Sequence, residues 1–283
     1  MNCLDIIECA GSIATAISLI FIIKQTYNNK KSIDLLASQT ELLRKEYQYN
    51  SEWQEKNKAI EMSRYYKDNI IPQVSYIDTI LKKTGVLQLL ERISPKDMKS
   101  FTFDELVSLA GEEIKENVIK RLNNPKNINI FLEERLRLQQ LAKRNLLHNI
   151  NPDLINNWVN VEKNGGETEN VSREQHAKDG EILLSALIFE YRDIVLNTMN
   201  SLEYFSMNFI TRIADEETVY LSLHQTYLKI MRRLYYNIAS FNNKPKDKFF
   251  TSAIQLYQIW STRDAEMSEK ADGISSAPKP VKK

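Results

Sequence analysis

Apolar residues recur at helical spacing through most of this chain. Val219, Leu223 and Tyr227 follow the 3.6-residue period of an amphipathic helix. Pro72 opens a segment in which Val74 and Ile77 share one face. No segment shows the two-residue alternation of a half-buried strand between turn signals. The pattern therefore predicts an all-α fold.

Helix start and stop signals divide the body of the chain. Thr102 and Glu105 have the spacing of a capping box, which predicts that a helix starts there. Apolar spacing predicts further helices over 128–147 and over roughly 178–213. The predicted domains are a membrane helix at residues 1–24, a helical connector at 25–71, a helical bundle at 72–262 with a loop near 162–176, and a disordered tail at 263–283.

The N-terminal segment is apolar enough to be interpreted as a membrane span. No charged residue occurs from Cys9 to Ile23. A helix needs about 20 predominantly apolar residues to cross a bilayer, so the span requires the end with Asp5 and Glu8 to lie at the interface. A signal peptide is excluded because no basic residue precedes the apolar run. We therefore expect a single transmembrane helix over residues 1–24.

The charges that flank this segment predict its orientation. Lys24, Lys30 and Lys31 follow the apolar run, whereas Asp5 and Glu8 precede it. The positive-inside rule then places the N-terminus outside and residues 24–283 in the cytoplasm. The expected location is the inner membrane, with the lipid bilayer as a partner.

Small residues lie at four-residue spacing along the same segment, which lets two membrane helices approach closely. These predicted packing residues are Ala10, Gly11, Ala14, Thr15 and Ser18.

The connector carries a short apolar stripe. Ile33, Leu36, Thr40, Leu43 and Tyr47 follow the alternating three- and four-residue spacing of a coiled coil. The pattern then decays into polar residues, and two heptads are too few for a stable coiled coil. We expect a long helix that pairs weakly with a second copy, and therefore a homo-oligomer or a complex with another protein.

Composition narrows the chemistry of the body. The net charge is +1, so nucleic acid is not indicated as a partner. The chain has 3 His and 2 Cys, both cysteines lie in the first nine residues, and no metal-binding or phosphate-loop motif occurs. The sequence therefore predicts no cofactor and no metal, and favours a non-enzymatic protein.

One short motif supports an enzymatic alternative. Arg144, Asn145 and His148 resemble the signature of HEPN ribonucleases, which are also all-α. The resemblance implies that these residues act together on RNA in a dimer cleft. The family has four residues between Arg and His, whereas this chain has three, which rotates the His by about 100° on a helix. A helix C-terminal turn is the other interpretation.

Charged residues also interrupt apolar helices. Glu190, Glu203 and Arg212 do so, and buried charges need partners, which favours structural ion pairs over catalytic carboxylates. Lys229, Arg232 and Arg233 form a basic cluster at helical spacing. The cluster suits a solvated helix face, with binding of a phosphate or an acidic partner as the alternative.

In the C-terminal third, Leu196–Glu203 precede an apolar run, Asp215 follows near a turn, and Tyr257 and Trp260 lie in the last predicted helix. With this pattern the C-terminal third resembles a bacterial family of unknown function, family 4760. The resemblance implies an N-terminal membrane helix before a helical body and no catalytic residues. Asn200, Glu203 and Asp215 are the positions expected to share a polar network.

Together these patterns predict a membrane-anchored cytoplasmic helical module for interaction or sensing. By analogy with proteins of this size and layout, it would be a self-associating effector of bacterial stress or phage defence. Two alternatives stay open: a HEPN-like ribonuclease, and a toxin that disrupts membranes through its N-terminal helix.

Overall fold

The computed structural model describes residues 3–141, 147–163, 173–243 and 248–275. Within these residues every regular element is a helix, which confirms the all-α prediction. The helices are α1 (Cys3–Tyr65), α2 (Ile71–Lys83), α3 (Val86–Leu90), α4 (Phe103–Ala110), α5 (Ile114–Leu122), α6 (Ile128–Leu141), α7 (Pro152–Lys163), α8 (Arg173–Ile210), α9 (Glu217–Arg233), α10 (Tyr235–Phe241) and α11 (Thr251–Ser275). A π-helical turn, Tyr66–Ile70, joins α1 to α2.

The chain divides into two compact units, residues 1–54 and 55–283. The first unit consists of α1 residues, and every side chain described between 21 and 50 is exposed. Among the described residues, no helix combines the length and apolar character needed to cross a bilayer. Most side chains of residues 1–24 lie outside the described part of the chain, so the span predicted there stays a prediction.

Most of the predicted membrane-packing residues lie outside the part of the chain described with side chains. Ala10, Gly11, Ala14 and Thr15 belong to this group, although the backbone there is helical. Ser18 is described and is exposed.

The second unit begins earlier than the sequence pattern predicts. Ala59, Met62, Tyr66 and Ile70 are all buried in its core at three- and four-residue spacing. The last turns of α1 and the π-helical turn therefore belong to the body, although the connector was predicted to extend to residue 71.

The core of the second unit is rich in aromatic side chains. Trp260 of α11 packs edge-on against Tyr227 of α9, with ring centroids 5.0 Å apart. Phe205 of α8 lies between Tyr227 and Tyr66, at 5.9 and 4.9 Å. The long helix α8 thus contributes to one continuous core that draws on both ends of the unit.

Two predicted boundaries differ in the structure. The helix predicted over 128–147 is described as α6 up to Leu141, and residues 147–150 are not helical. Helix α11 runs to Ser275, past residue 263, where the tail was predicted to begin. At the start of the predicted tail, Arg263 contacts Glu217 and Asp264 contacts His224, and these contacts hold that part of α11 against α9.

Candidate functional site

A polar cluster of the body joins α6, α8 and the segment that follows residue 146. Arg135 lies on α6, and its Nε donates to both carboxylate oxygens of Glu190 on α8, at 3.1 and 3.2 Å. The Glu190 side chain is fully buried, and that of Arg135 is 16% exposed. A buried charge of this kind needs such a partner, because leaving water costs several kcal/mol per ion, about the size of a domain's net stability. The ion pair predicted for Glu190 is confirmed.

The same pair holds the backbone of His148. The His148 amide donates to Glu190 Oε2 at 2.8 Å, and the His148 carbonyl accepts from Arg135 Nη2 at 2.6 Å. Burial raises the pKa of the Glu190 carboxyl above the ordinary glutamate value, and Arg135 and the His148 amide offset part of that rise. The backbone at His148 is therefore anchored to a buried ion pair.

The imidazole of His148 is turned outward and bound by a second carboxylate. Its Nε2 lies 2.7 Å from Asp193 Oδ2, and both side chains are partly exposed. Asp193 and Glu190 lie three residues apart on α8 and so share a face. Phe189 of the same helix packs against the imidazole, with ring centroids 5.3 Å apart.

An open groove of about 570 Å³ adjoins this cluster. Phe189 and Arg192 line it from α8, and Asn123 and Pro125 line it from the end of α5 and the turn after it. The groove is bordered by charges of both signs, since Glu181 also lines it.

The chemistry of the cluster is that of an oriented imidazole. A carboxylate on one ring nitrogen fixes the ring and favours proton transfer at the other. Among the described residues, His148 forms hydrogen bonds with Glu190, Arg135 and Asp193.

Of the three residues of the ribonuclease motif, only His148 lies among the described residues. Arg144 and Asn145 lie outside the described residues, so their geometry with His148 is not defined. His148 itself lies in a non-helical segment, and residues 142–146 before it lie outside the described residues, so the interpretation as a helix C-terminal turn stays a prediction. The ribonuclease hypothesis stays a prediction.

The three residues proposed for a shared polar network have different surroundings. Glu203 accepts the amides of Ser252 and Ala253, at 3.0 and 2.9 Å, and so caps the first turn of α11. Asp215 accepts a hydrogen bond from Thr218 at the start of α9. Asn200 is exposed on α8.

The other two histidines each stack on an aromatic ring of the body. His224 is buried, stacks on Tyr220 at 4.5 Å, and places Nδ1 2.8 Å from the Tyr220 carbonyl. His176 stacks on Trp158, with ring centroids 4.4 Å apart. Among the described residues, no group of His, Cys, Asp or Glu could hold a metal ion.

Sequence reasoning missed Arg135 and Asp193 as parts of the cluster. Both lie on ordinary charged positions of amphipathic helices, and Glu190 stands 55 residues from Arg135 along the chain. The one local signal was the placement of Glu190 within an apolar stretch.

Comparison with known proteins identifies no relative of this chain. No family model, no curated protein and no solved structure matches the chain. The resemblance of the C-terminal third to family 4760 accordingly stays a prediction.

Proposed function

We propose that this protein is a membrane-anchored helical interaction module that self-associates through its connector. The observation that carries the proposal is the apolar stripe on α1. Leu36, Leu43 and Tyr47 are 61%, 65% and 79% exposed. Single exposed apolar residues are ordinary, but a contiguous row of them marks an interaction surface.

The stripe has the geometry of a coiled-coil seam. Ile33 and Tyr47 occupy first positions of successive heptads together with Thr40, and Leu36 and Leu43 occupy the fourth positions. Leu35, Leu42 and Tyr49 are exposed as well, but they occupy third positions of the heptads, about 100° around the helix from the fourth positions, and so lie outside the seam.

A second copy of this chain is the partner that the proposal requires. Two copies inserted in one membrane share an orientation, so their connectors run parallel and bring identical seam positions together. Confinement to the membrane raises the effective concentration of the second copy. A short seam of two heptads then suffices for pairing.

Sequence features support the membrane anchor. The uncharged run from Cys9 to Ile23 and the lysines that follow it favour an inner-membrane helix with the body in the cytoplasm. Leu19, Phe21 and Ile22 are exposed on α1, as residues that meet lipid would be. The same helix, α1, continues from this run into the connector.

Disulfide trapping in native membranes tests the pairing. The test uses full-length protein with Cys3→Ser and Cys9→Ser, and adds Leu36→Cys or Leu43→Cys. Fourth-position side chains of a parallel pair lie close enough for a disulfide. We expect mild oxidation to give a covalent dimer with either added cysteine.

Ser38→Cys provides the matched control. Ser38 lies two residues from Leu36, which turns its side chain about 200° away from the seam. It should therefore give several-fold less dimer under the same conditions. Equal trapping at positions 36 and 38, or no trapping at 36 and 43, would contradict the proposal.

A further inference from the structure

A second cavity, of about 230 Å³, lies between α9 and the loop that follows α3. Leu90, Ile93 and Met98 are buried and give the cavity an apolar wall, to which Pro95 adds. Lys229, Arg232 and Arg233 line the opposite side from α9. The cavity thus combines an apolar surface with a basic one.

One of the three cations is already neutralised. Arg233 lies 2.9 Å from Asp78 on α2 and 3.2 Å from Glu91, which also lines the cavity. These two carboxylates fix Arg233 as a structural group of the cavity wall.

The other two cations have no carboxylate partner among the described residues. Lys229 and Arg232 are three residues apart on α9, so they lie on one side of the helix. The Nε–H of Arg232 is buried, and no hydrogen-bond acceptor in the described part of the chain reaches it. A buried donor without an acceptor is rare in folded proteins, which argues against the solvated face predicted for this cluster.

The apolar wall is held in place by the last helix. Gln258 Nε2 on α11 donates to the Lys99 carbonyl at 2.7 Å, and the Tyr257 hydroxyl donates to the Pro95 carbonyl at 3.4 Å. The loop therefore forms a preorganised surface opposite the cations, which lowers the entropic cost of binding.

We propose that this cavity binds a phosphate monoester whose organic part is apolar or aromatic. A phosphate monoester carries about 1.5 to 2 negative charges at neutral pH and three acceptor oxygens. It would balance Lys229 and Arg232 together and supply the acceptor that the Arg232 guanidinium lacks. Its organic part would cover Ile93, Pro95 and Met98.

The phosphate monoester can come from two sources, a soluble organic phosphate or the headgroup of phosphatidic acid. Both present the same charged group, and they differ in whether the apolar part is in solution or in a bilayer. Separate arms of one experiment distinguish them.

The soluble arm uses the full chain in nonionic detergent and titrates it calorimetrically with phenyl phosphate. We expect saturable binding, with at least about tenfold weaker affinity for Lys229→Gln/Arg232→Gln, because both charge contacts are lost. Lys115→Gln/Lys120→Gln removes two exposed charges from α5 and should bind like the original chain. Inorganic phosphate and benzyl alcohol, each lacking half of the ligand, should bind at least about fivefold more weakly.

The lipid arm measures flotation of the full chain with phosphatidylcholine vesicles that contain or lack phosphatidic acid. Stronger recovery with phosphatidic acid that depends on Lys229 and Arg232, without phenyl phosphate binding, assigns the lipid source. Binding of phenyl phosphate without that preference assigns the soluble source.

Two results would overturn the proposal. One is the absence of saturable phenyl phosphate binding together with no phosphatidic acid preference. The other is unchanged binding in Lys229→Gln/Arg232→Gln. If that variant does not fold, Lys229→Gln alone replaces it, because Lys229 is exposed and its loss leaves the packing intact; unchanged affinity in this variant would equally contradict the proposal.

Discussion

The carboxyl group of Glu190 lies fully buried on α8, and its partners come from two other parts of the chain. Arg135 supplies the charge and the His148 amide supplies a further hydrogen bond. The pair thus ties the outward-facing His148 to the core, and any function of that imidazole depends on it.

At this residue scale we predict that Arg135→Met destabilises the protein by about 3–5 kcal/mol, because Glu190 keeps its burial and loses its partner. Denaturant unfolding monitored by circular dichroism measures the change. Arg135→Met/Glu190→Gln removes the stranded charge and should recover a large part of the loss.

The stability that the protein loses in Arg135→Met should depend on pH. The pKa of folded Glu190 is already raised by burial, and removing Arg135 raises it further. An acid whose pKa is raised by folding contributes stability below its unfolded pKa, about 4.3, and loses that contribution as the pH rises through the folded pKa. The deficit of Arg135→Met should therefore be smaller at about pH 5 than at about pH 8. A constant deficit across this range would contradict the assignment.

At the scale of elements, α7 packs on α8 at a glycine. Gly180 is buried in α8, and a Cβ at this position would lie 2.6 Å from the ring of Trp158 on α7. The same ring stacks on His176 and donates from Nε1 to Asn129 at 3.2 Å. The indole thus has little freedom to move away.

We predict that Gly180→Ala destabilises the protein by about 1–3 kcal/mol through this overlap, although Ala in place of a helical Gly normally stabilises by about 1 kcal/mol. Thermal unfolding measures the sign. In the Trp158→Leu background the overlap is absent, so the same substitution should become neutral or stabilising. Stabilisation by Gly180→Ala in the original chain would show that the helices are not in close contact here.

At the scale of the whole molecule, the two units differ in what stabilises them. The hydrophobic core begins at Ala59 and ends at Trp260, so all of its members lie in the second unit. The described side chains of residues 21–50 are exposed, and most helical stability in proteins comes from packing. The body should therefore fold without the first 54 residues.

We predict that a chain of residues 55–283 melts within about 3 °C of the full-length protein in the same detergent. A chain of residues 67–283 provides the control, because it also lacks Ala59, Met62 and Tyr66, which are buried in the core. It should melt at least about 10 °C lower. A large loss of thermal stability on removing residues 1–54 alone would contradict the division.

Much of the local structure could be predicted from the chain alone. The period of Val219, Leu223 and Tyr227 predicts α9, and Thr102 caps α4 by accepting the Glu105 amide at 3.3 Å. These features can be recognised in the sequence because they depend only on residues a few positions apart. The helix start at the capping box and the all-α class follow from such spacing.

The candidate site and the basic cavity could not be predicted in this way, because their partners are far apart in sequence. The position of Glu190 within an apolar stretch indicates that a cation must pair with its carboxylate, but it does not indicate that Arg135 is that cation. Likewise, the spacing of Lys229 and Arg232 is compatible with a solvated face until α9 packs against the loop after α3.

The sequence by itself determined the helical class, several helix starts, the connector stripe and the shortage of metal- and thiol-binding residues, since period, capping and composition are local properties. Only the tertiary structure decided where the body begins, that Arg135 and Glu190 anchor His148, and that Lys229 and Arg232 line a cavity with an apolar wall. The physical reason is that burial and electrostatic pairing are set by which helices pack together, and one chain's local pattern is compatible with several such packings.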